Sequence, residues 1–487
     1  MKILLVHPPW LKFFGSSIST PPIALYSIAS YIRRELPQID IDVYNADYSD
    51  SPNLFFNSHM FATMQNEYLE RLNNLHDPIW QEVKKTISNY SPDILGISAM
   101  TASYVSGLKI SIIAKHINPK MVVVFGGKHP TSLPEDTLKN ASVDFIVIGE
   151  GEETFKNLIL NINSPKSVKG IAYKNHKGEV LRTLVRQTIA DINKLPIPIL
   201  QSSINTYGFE KNINLEAIKW NIISARGCPF QCIYCASEKE IRYRRPQNVI
   251  EEVKLVKQKY GINYFSFQDD SFSINKKRAL ELCDLLKREN VIWDCNTRVD
   301  LIDKNLFFKM KQSGCREVSI GIESGSKKTL KIIRKKIDFE QIFEAVHLLK
   351  KYKFITNGFF MIGFPWENRE DMEKTLDLIK RLPIDNFELN IATPLPGTQM
   401  FRSLVEAGKI NINTEDWSRY HQGSPKMNFS QYSNAKWEEI ILDLIYKAAK
   451  IQKKMFIKRN LKTFLQDPVS KTKRIGKRIR GSIHKYF

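Results

Sequence analysis

The sequence predicts an α/β protein in two parts: an amino-terminal doubly wound unit and a partial (β/α)6 barrel, closed by a helical carboxyl-terminal region. Three observations carry this. Short apolar runs alternate with helix-length segments over residues 1–160. The same alternation resumes over 216–400 after an irregular stretch. Three cysteines, Cys228, Cys232 and Cys235, stand together just behind the first strand of the second series.

In the first series the expected strands are Lys2–Val6, Ile41–Tyr44, Ile94–Ile97, Met121–Phe125 and Phe145–Ile148. Each is almost uninterrupted in apolar residues, as parallel strands buried on both faces are. Residues 161–215 read as a linker, with a small hairpin over Gly170–Leu184 around His176-Lys177-Gly178 and a stiff Leu195-Pro196-Ile197-Pro198. In the second series the expected strands are Trp220–Ala225, Tyr264–Phe267, Ile292–Asn296, Glu317–Ile322, Thr356–Ile362 and Phe387–Ala392. Amphipathic segments at Val249–Lys259, Lys276–Glu289, Lys304–Gln312 and Phe339–Lys351 separate them. Residues 401–470 read as helix and 471–487 as a basic tail. Ligands of such folds bind at the carboxyl ends of the strands.

Hydrophobic residues at 43% and charged residues at 25% of 487 residues are enough for several packed cores and exclude a disordered chain. The formal net charge is +21, but from Lys450 to Phe487 thirteen Lys and Arg face one acid, Asp467. The body is therefore only mildly basic, and nucleic acid is not an expected partner. The apolar run before Pro8-Pro9 is too short for a secretory signal, and no stretch approaches the roughly 20 apolar residues of a membrane span. A cytoplasmic protein is expected.

Six cysteines in a chain of this length do not make a disulfide framework, and three within eight residues point to metal or redox chemistry. The segment Arg226-Gly227-Cys228-Pro229-Phe230-Gln231-Cys232-Ile233-Tyr234-Cys235 supplies three thiolates at C-x3-C-x2-C spacing. Three thiolates hold a four-iron cubane and leave one iron without a protein ligand. A structural zinc site wants four ligands, and no fourth Cys or His stands nearby. Cys283, Cys295 and Cys315 read as core residues.

These residues resemble the radical S-adenosylmethionine superfamily, with Tyr234 in the aromatic place of its C-x3-C-x-aromatic-C signature. The resemblance implies a [4Fe–4S] cluster, S-adenosylmethionine, an electron donor such as a flavodoxin, ferredoxin or reductase, and a 5′-deoxyadenosyl radical. It also places Asp269 or Asp270 near the methionine ammonium, Arg298 near its carboxylate and Glu323 on the ribose. Met361–Pro365 and Pro394–Thr398 match the strand ends where backbone meets adenine.

The first part resembles the cobalamin-binding domains that precede such barrels, through Pro21–Leu25, Pro92–Thr101, Phe125–Thr131 and Gly149–Glu153. That resemblance implies cobalamin lying against Ser98, Met100, Thr101, Gly126 and Gly127. The Asp-x-His-x-x-Gly of relatives that ligate cobalt from below is replaced by Asn45-Ala46-Asp47-Tyr48-Ser49-Asp50, so no imidazole from this loop reaches the metal. His7 and His129 read as loop histidines.

Ile475, Ile479 and Ile483 make an apolar stripe among the basic residues of the tail, the pattern of an interfacial helix, which Gly476 and Gly481 weaken. A solvated tail, peripheral contact with a membrane and an anionic partner all stay open.

Together the resemblances imply that a 5′-deoxyadenosyl radical takes a hydrogen atom from an unactivated carbon, to which methylcobalamin delivers a methyl group. An oxidative cyclase or rearrangement enzyme needs the same machinery. An RNA methylthiotransferase would carry a second cysteine trio before residue 228, and residues 1–227 contain no cysteine. A non-catalytic cobalamin sensor would have no use for the trio. A small molecule, a lipid and a peptide are all compatible with the sequence as substrates.

Overall fold

The computed structural model describes residues 1–16, 20–49, 58–205 and 219–466; the basic tail at 471–487, with its stripe, lies outside them. The apolar runs of the first series become β1 (Lys2–His7), β2 (Asp40–Asn45), β3 (Ile94–Ser98), β4 (Val122–Gly126) and β5 (Phe145–Val147). They are parallel and ordered β2-β1-β3-β4-β5, the doubly wound arrangement with its switch point between β1 and β3.

The hairpin expected within the linker is real: β6 (Ile171–Lys174) pairs antiparallel with β7 (Val180–Arg182). It does not stand apart, however. β6 also pairs antiparallel with β5, so the first sheet has seven strands and runs on to Arg182, past the expected limit at 160. The local pattern shows a hairpin; it cannot show which edge the hairpin joins.

The second sheet contains β8 (Trp220–Ile222), β11 (Tyr264–Phe267), β12 (Ile292–Arg298), β13 (Cys315–Glu323), β14 (Ile355–Ile362) and β15 (Asn386–Ile391), all parallel and in chain order. β8 and β15 are not paired, so this is a six-stranded barrel with one open side. Helices Lys276–Glu289, Lys304–Gln312 and Phe339–Lys351 begin where Asn275, Asp303 and Asp338 accept backbone N–H groups of the first turn, the capping that side chains of this type favour.

The strand expected over Trp220–Ala225 breaks after Ile222. One Asp269 oxygen accepts the N–H of Ser224 (2.6 Å) and of Ala225 (2.9 Å), and Arg278 donates to the Ser224 carbonyl (2.9 Å). The ladder groups are thus taken by side chains. The chain turns into β9 (Ala225–Arg226), which pairs antiparallel with β10 (Arg242–Tyr243) and closes the cysteine segment into a loop.

The region after Gln399 is less helical than expected. Helices span Gln399–Glu406 and Asn434–Gln466, but between them only Trp417–Arg419 forms a short 3-10 turn. That irregular segment plugs into the first unit: His421 is buried with Nε2 2.7 Å from Gln65 Oε1, ringed by Trp10, Phe14, Phe61 and Tyr68. Burial lowers its pKa to about 3, so it is a neutral packing group. No helix among the described residues is long and apolar enough to cross a membrane.

Candidate active site

The cysteine loop is shaped by Gly227, whose φ of +95° favours glycine and whose Cβ, if present, would be driven into the Glu240 carbonyl. The Cys228 N–H donates to Glu238 O (2.7 Å), the Cys235 N–H to Cys232 O (3.2 Å), and Met400 N–H to Ile233 O (2.9 Å). All three thiols are free, with Cys232 buried and Cys228 and Cys235 half-buried. Burial pushes the Cys228 thiol up. Among the described residues no three His, Cys, Asp or Glu side chains converge as ligands of a single ion do.

Arg298, at the end of β12, reaches this loop. Its Nη1 lies 3.5 Å from Cys232 Sγ and its guanidinium stacks 3.7 Å from the centre of the Phe230 ring. Asp300 grips it with two bonds (2.9 and 3.0 Å) and Lys335 O accepts another (2.7 Å). The geometry puts a fixed positive charge on a cluster sulfur, a placement the expected methionine carboxylate does not by itself require. Donors and positive charge at cluster sulfurs favour the reduced state. Arg298→Gln is expected to lower the midpoint potential of the reconstituted cluster by about 59 mV, one tenfold step for a one-electron couple. EPR-monitored titration without S-adenosylmethionine checks this.

Glu323 ends β13 with a φ of +72° and is buried. Lys335 Nζ donates to it at 2.8 Å. The Tyr234 phenol shares the same carboxylate and is pushed well above its ordinary range, first by burial and then by Glu323. A Cβ on Gly321 would lie 2.5 Å from Glu323 Oε1 and 2.7 Å from Lys335 Nζ, so a side chain here would push this pair aside. Lys335 sits between Arg334 (φ +57°) and Lys336 (φ +56°), two left-handed non-glycine residues. Such backbone costs about 1–3 kcal/mol per residue and collects at functional sites.

The paired acids divide. Asp269 is turned back into the segment before the cysteines and is buried there. Asp270 instead accepts Ser237 Oγ (3.0 Å), whose own N–H points at Cys235 Sγ (3.5 Å). On the β14 loop, the N–H groups of Gly363 and Phe364 already donate to Glu367 (2.8 and 3.2 Å), whose pKa burial pushes up to about 7.

In the first unit Ser98 and Gly126 end neighbouring strands at the carboxyl edge of the sheet. A Cβ on Gly126 would make only ordinary contact with Val147, at 3.9 Å, so the strand end there is lined by backbone without crowding. Gly127 (φ +99°) is required for another reason, since a Cβ would strike the Ala99 backbone. Met100 is 52% exposed beside them, whereas Thr101 is buried and 3.3 Å from His129 Nδ1. His129 is no surface loop residue: it stacks on Tyr104 (3.8 Å) against the edge of Trp417, and burial lowers its pKa to about 3. Asp47 accepts the N–H groups of Trp10, Leu11 and Lys12 (3.0, 3.1 and 2.8 Å) and so organises the turn after β1.

Two contacts bring the units face to face. Arg226 and Arg242 of the ribbon under the cysteine loop bind Glu150, and Arg226 also binds Glu152 (2.6 Å). Burial opposes the charge of Glu150, but Arg242 and Arg226 outweigh it and hold the carboxyl below its ordinary value. Gly397, after β15, lies where Ser132 of the first unit and Ala236 of the cysteine loop meet, the Ser132 Oγ being 2.6 Å from where a Cβ would be. Glu150 and Lys335 are the members that sequence reasoning missed. Glu150 was visible only as part of a motif, and Lys335 was hidden in a basic run that reads as a solvated surface.

A barrel carrying the cysteine trio, facing a doubly wound unit whose strands end at Ser98 and Gly126, defines a radical S-adenosylmethionine enzyme with a cobalamin domain, using a [4Fe–4S] cluster, S-adenosylmethionine and cobalamin. The comparisons agree: residues 222–379 match the radical SAM superfamily and 59–159 the B12 binding domain. The chain belongs to this family of cobalamin-binding radical SAM proteins, being 32% identical to an uncharacterised methyltransferase of Pyrococcus horikoshii over 91% of each chain. It is also 28% identical to the anaerobic magnesium-protoporphyrin IX monomethyl ester cyclase of Rubrivivax gelatinosus, over 83% of this chain and 73% of that protein. The fold resembles the radical SAM methyltransferase TsrM of Kitasatospora setae, solved with cobalamin and cluster, at a TM-score of 0.65 and 16% identity, covering 83% of this chain and 75% of that one. It also resembles the cobalamin-dependent enzyme OxsB at 0.66 and 17%, covering 90% of this chain and 65% of that one.

Proposed function

We propose that this enzyme methylates an unactivated carbon of a small-molecule substrate held between barrel and cobalamin domain. When bound, the cluster with S-adenosylmethionine supplies a hydrogen-abstracting radical, and cobalamin supplies the methyl group. Cys228, Cys232 and Cys235 hold the cluster. Asp270 faces the position of the methionine ammonium. Glu323, oriented by Lys335 and Tyr234, takes the ribose hydroxyls, with Phe364 6.2 Å from the Tyr234 ring as an apolar wall. Ser98, Met100, Thr101, Gly126 and Gly127 line the corrin side. Asp269 positions the loop and stays off the ligand.

The junction at Gly397, where the cobalamin-side loop, the cluster loop and the barrel rim meet, carries this reading. It supports the reading because methyl transfer needs the cobalamin side and the cluster side to share one space. The test is an anaerobic reaction of the reconstituted enzyme with methyl-labelled S-adenosylmethionine. Label in a carbon-methylated product together with 5′-deoxyadenosine is expected. Release of 5′-deoxyadenosine with an oxidised, unlabelled product would instead favour the cyclase reading.

A further inference from the structure

A cavity of about 340 Å³ lies at the open side of the barrel, within the size range of small-ligand sites. Its walls come from three places: Trp10 and Phe61 of the first unit, Glu388 and Asn390 of β15, and Gln422 and Gln452 of the carboxyl-terminal region. Trp10 and Phe61 are stacked at 5.4 Å, which makes one wall flat and aromatic. Glu388 also lines the cavity, and among the described residues no lysine or arginine forms an ion pair with it. The nearest charges work the wrong way. Enclosure by the barrel holds the Glu388 carboxyl above its ordinary value, Asn357 partly offsets this through a hydrogen bond, and the neighbouring Glu317 adds to it. The other titratable side chain in the wall, His59, has its pKa lowered by burial.

The register ties this carboxylate to the chemistry. Glu388 pairs with Phe359, Phe359 with Gly321, and Gly321 with Arg298. Paired residues project on the same face, and Arg298 faces the cluster loop. Glu388 therefore projects from the same face of the sheet, three strand spacings or about 14 Å along it.

We propose that Glu388 anchors a cationic amine of the substrate, whose flat apolar portion lies on Trp10 and Phe61. This deepens the reading above by naming a substrate class, and its test does not use S-adenosylmethionine. Full-length, cluster-reconstituted protein is titrated with 2-phenylethylamine and with 2-phenylethanol, equal in shape and different in charge, by ligand-observed NMR. The amine is expected to bind about tenfold tighter than the alcohol, and Glu388→Gln to bring that ratio to about one. Equal binding of the two probes, or an unchanged preference in Glu388→Gln, overturns the assignment. Should Glu388→Gln melt early, Gln422→Lys, which sets a competing ammonium in the same wall, must weaken the amine and spare the alcohol; equal loss of both also overturns it. Absence of 5′-deoxyadenosine from the wild-type reaction would count against the functional reading alone and leave the probe measurement standing.

Discussion

Alanine in place of Cys228, Cys232 and Cys235 is expected to remove the iron–sulfide absorption of the reconstituted protein. With it, 5′-deoxyadenosine release should fall by at least about a thousandfold, a small part of what enzymes contribute to their reactions. Each residue supplies one of three thiolates, so the triple variant leaves the cluster without its sulfur ligands from the loop. The protein itself should remain folded. The loop is held by backbone bonds, from Cys228 N–H to Glu238 O and from Met400 N–H to Ile233 O, that alanine preserves. Circular dichroism and iron content, measured on one sample, separate the two effects. Retained absorption in the triple variant would refute the assignment of the cluster.

The second large effect is expected at Gly227, which is not a ligand. With φ at +95° and the Glu240 carbonyl directly in the path of a Cβ, alanine must either distort the loop or push the 238–240 segment away. Left-handed strain alone costs on the order of 1–3 kcal/mol, and the collision adds to it. That displacement also moves Glu238 O, the acceptor of the Cys228 N–H, so Gly227→Ala should load less than about a tenth of the wild-type iron. Gly178 is the control. It has a similar φ of +79° but nothing within 4 Å of a Cβ, at the tip of the β6–β7 hairpin. Gly178→Ala should lower the melting temperature slightly and leave iron content unchanged.

The contrast between these positions shows how far the sequence could be read. Helices such as Lys276–Glu289 and strands such as Tyr264–Phe267 were legible to the residue, because capping side chains and apolar period lie within the element itself. The cysteine spacing was legible for the same reason. The end of β8 was not, since the groups that cut it short, Asp269 and Arg278, come from 45 and 54 residues away. Arg298 was singled out as a cofactor residue, but its contact with Cys232 depends on a loop 66 residues earlier. Glu150, Lys335 and Glu388 belong to the same class: each is an ordinary charged residue in its local stretch and acquires a role only through partners brought by the tertiary fold.

Leaving a barrel unclosed exposes the rim of β15, and an unpaired rim is a template on which foreign chains add. Here Ile391 N–H donates to Gln422 O (2.7 Å) and Phe387 O accepts the Gln452 amide (3.1 Å). The rim's hydrogen-bonding appetite is met from within the molecule by a loop and one side chain rather than by a seventh strand. The doorway can thus stay wide enough for a guest without becoming a seed for polymer growth.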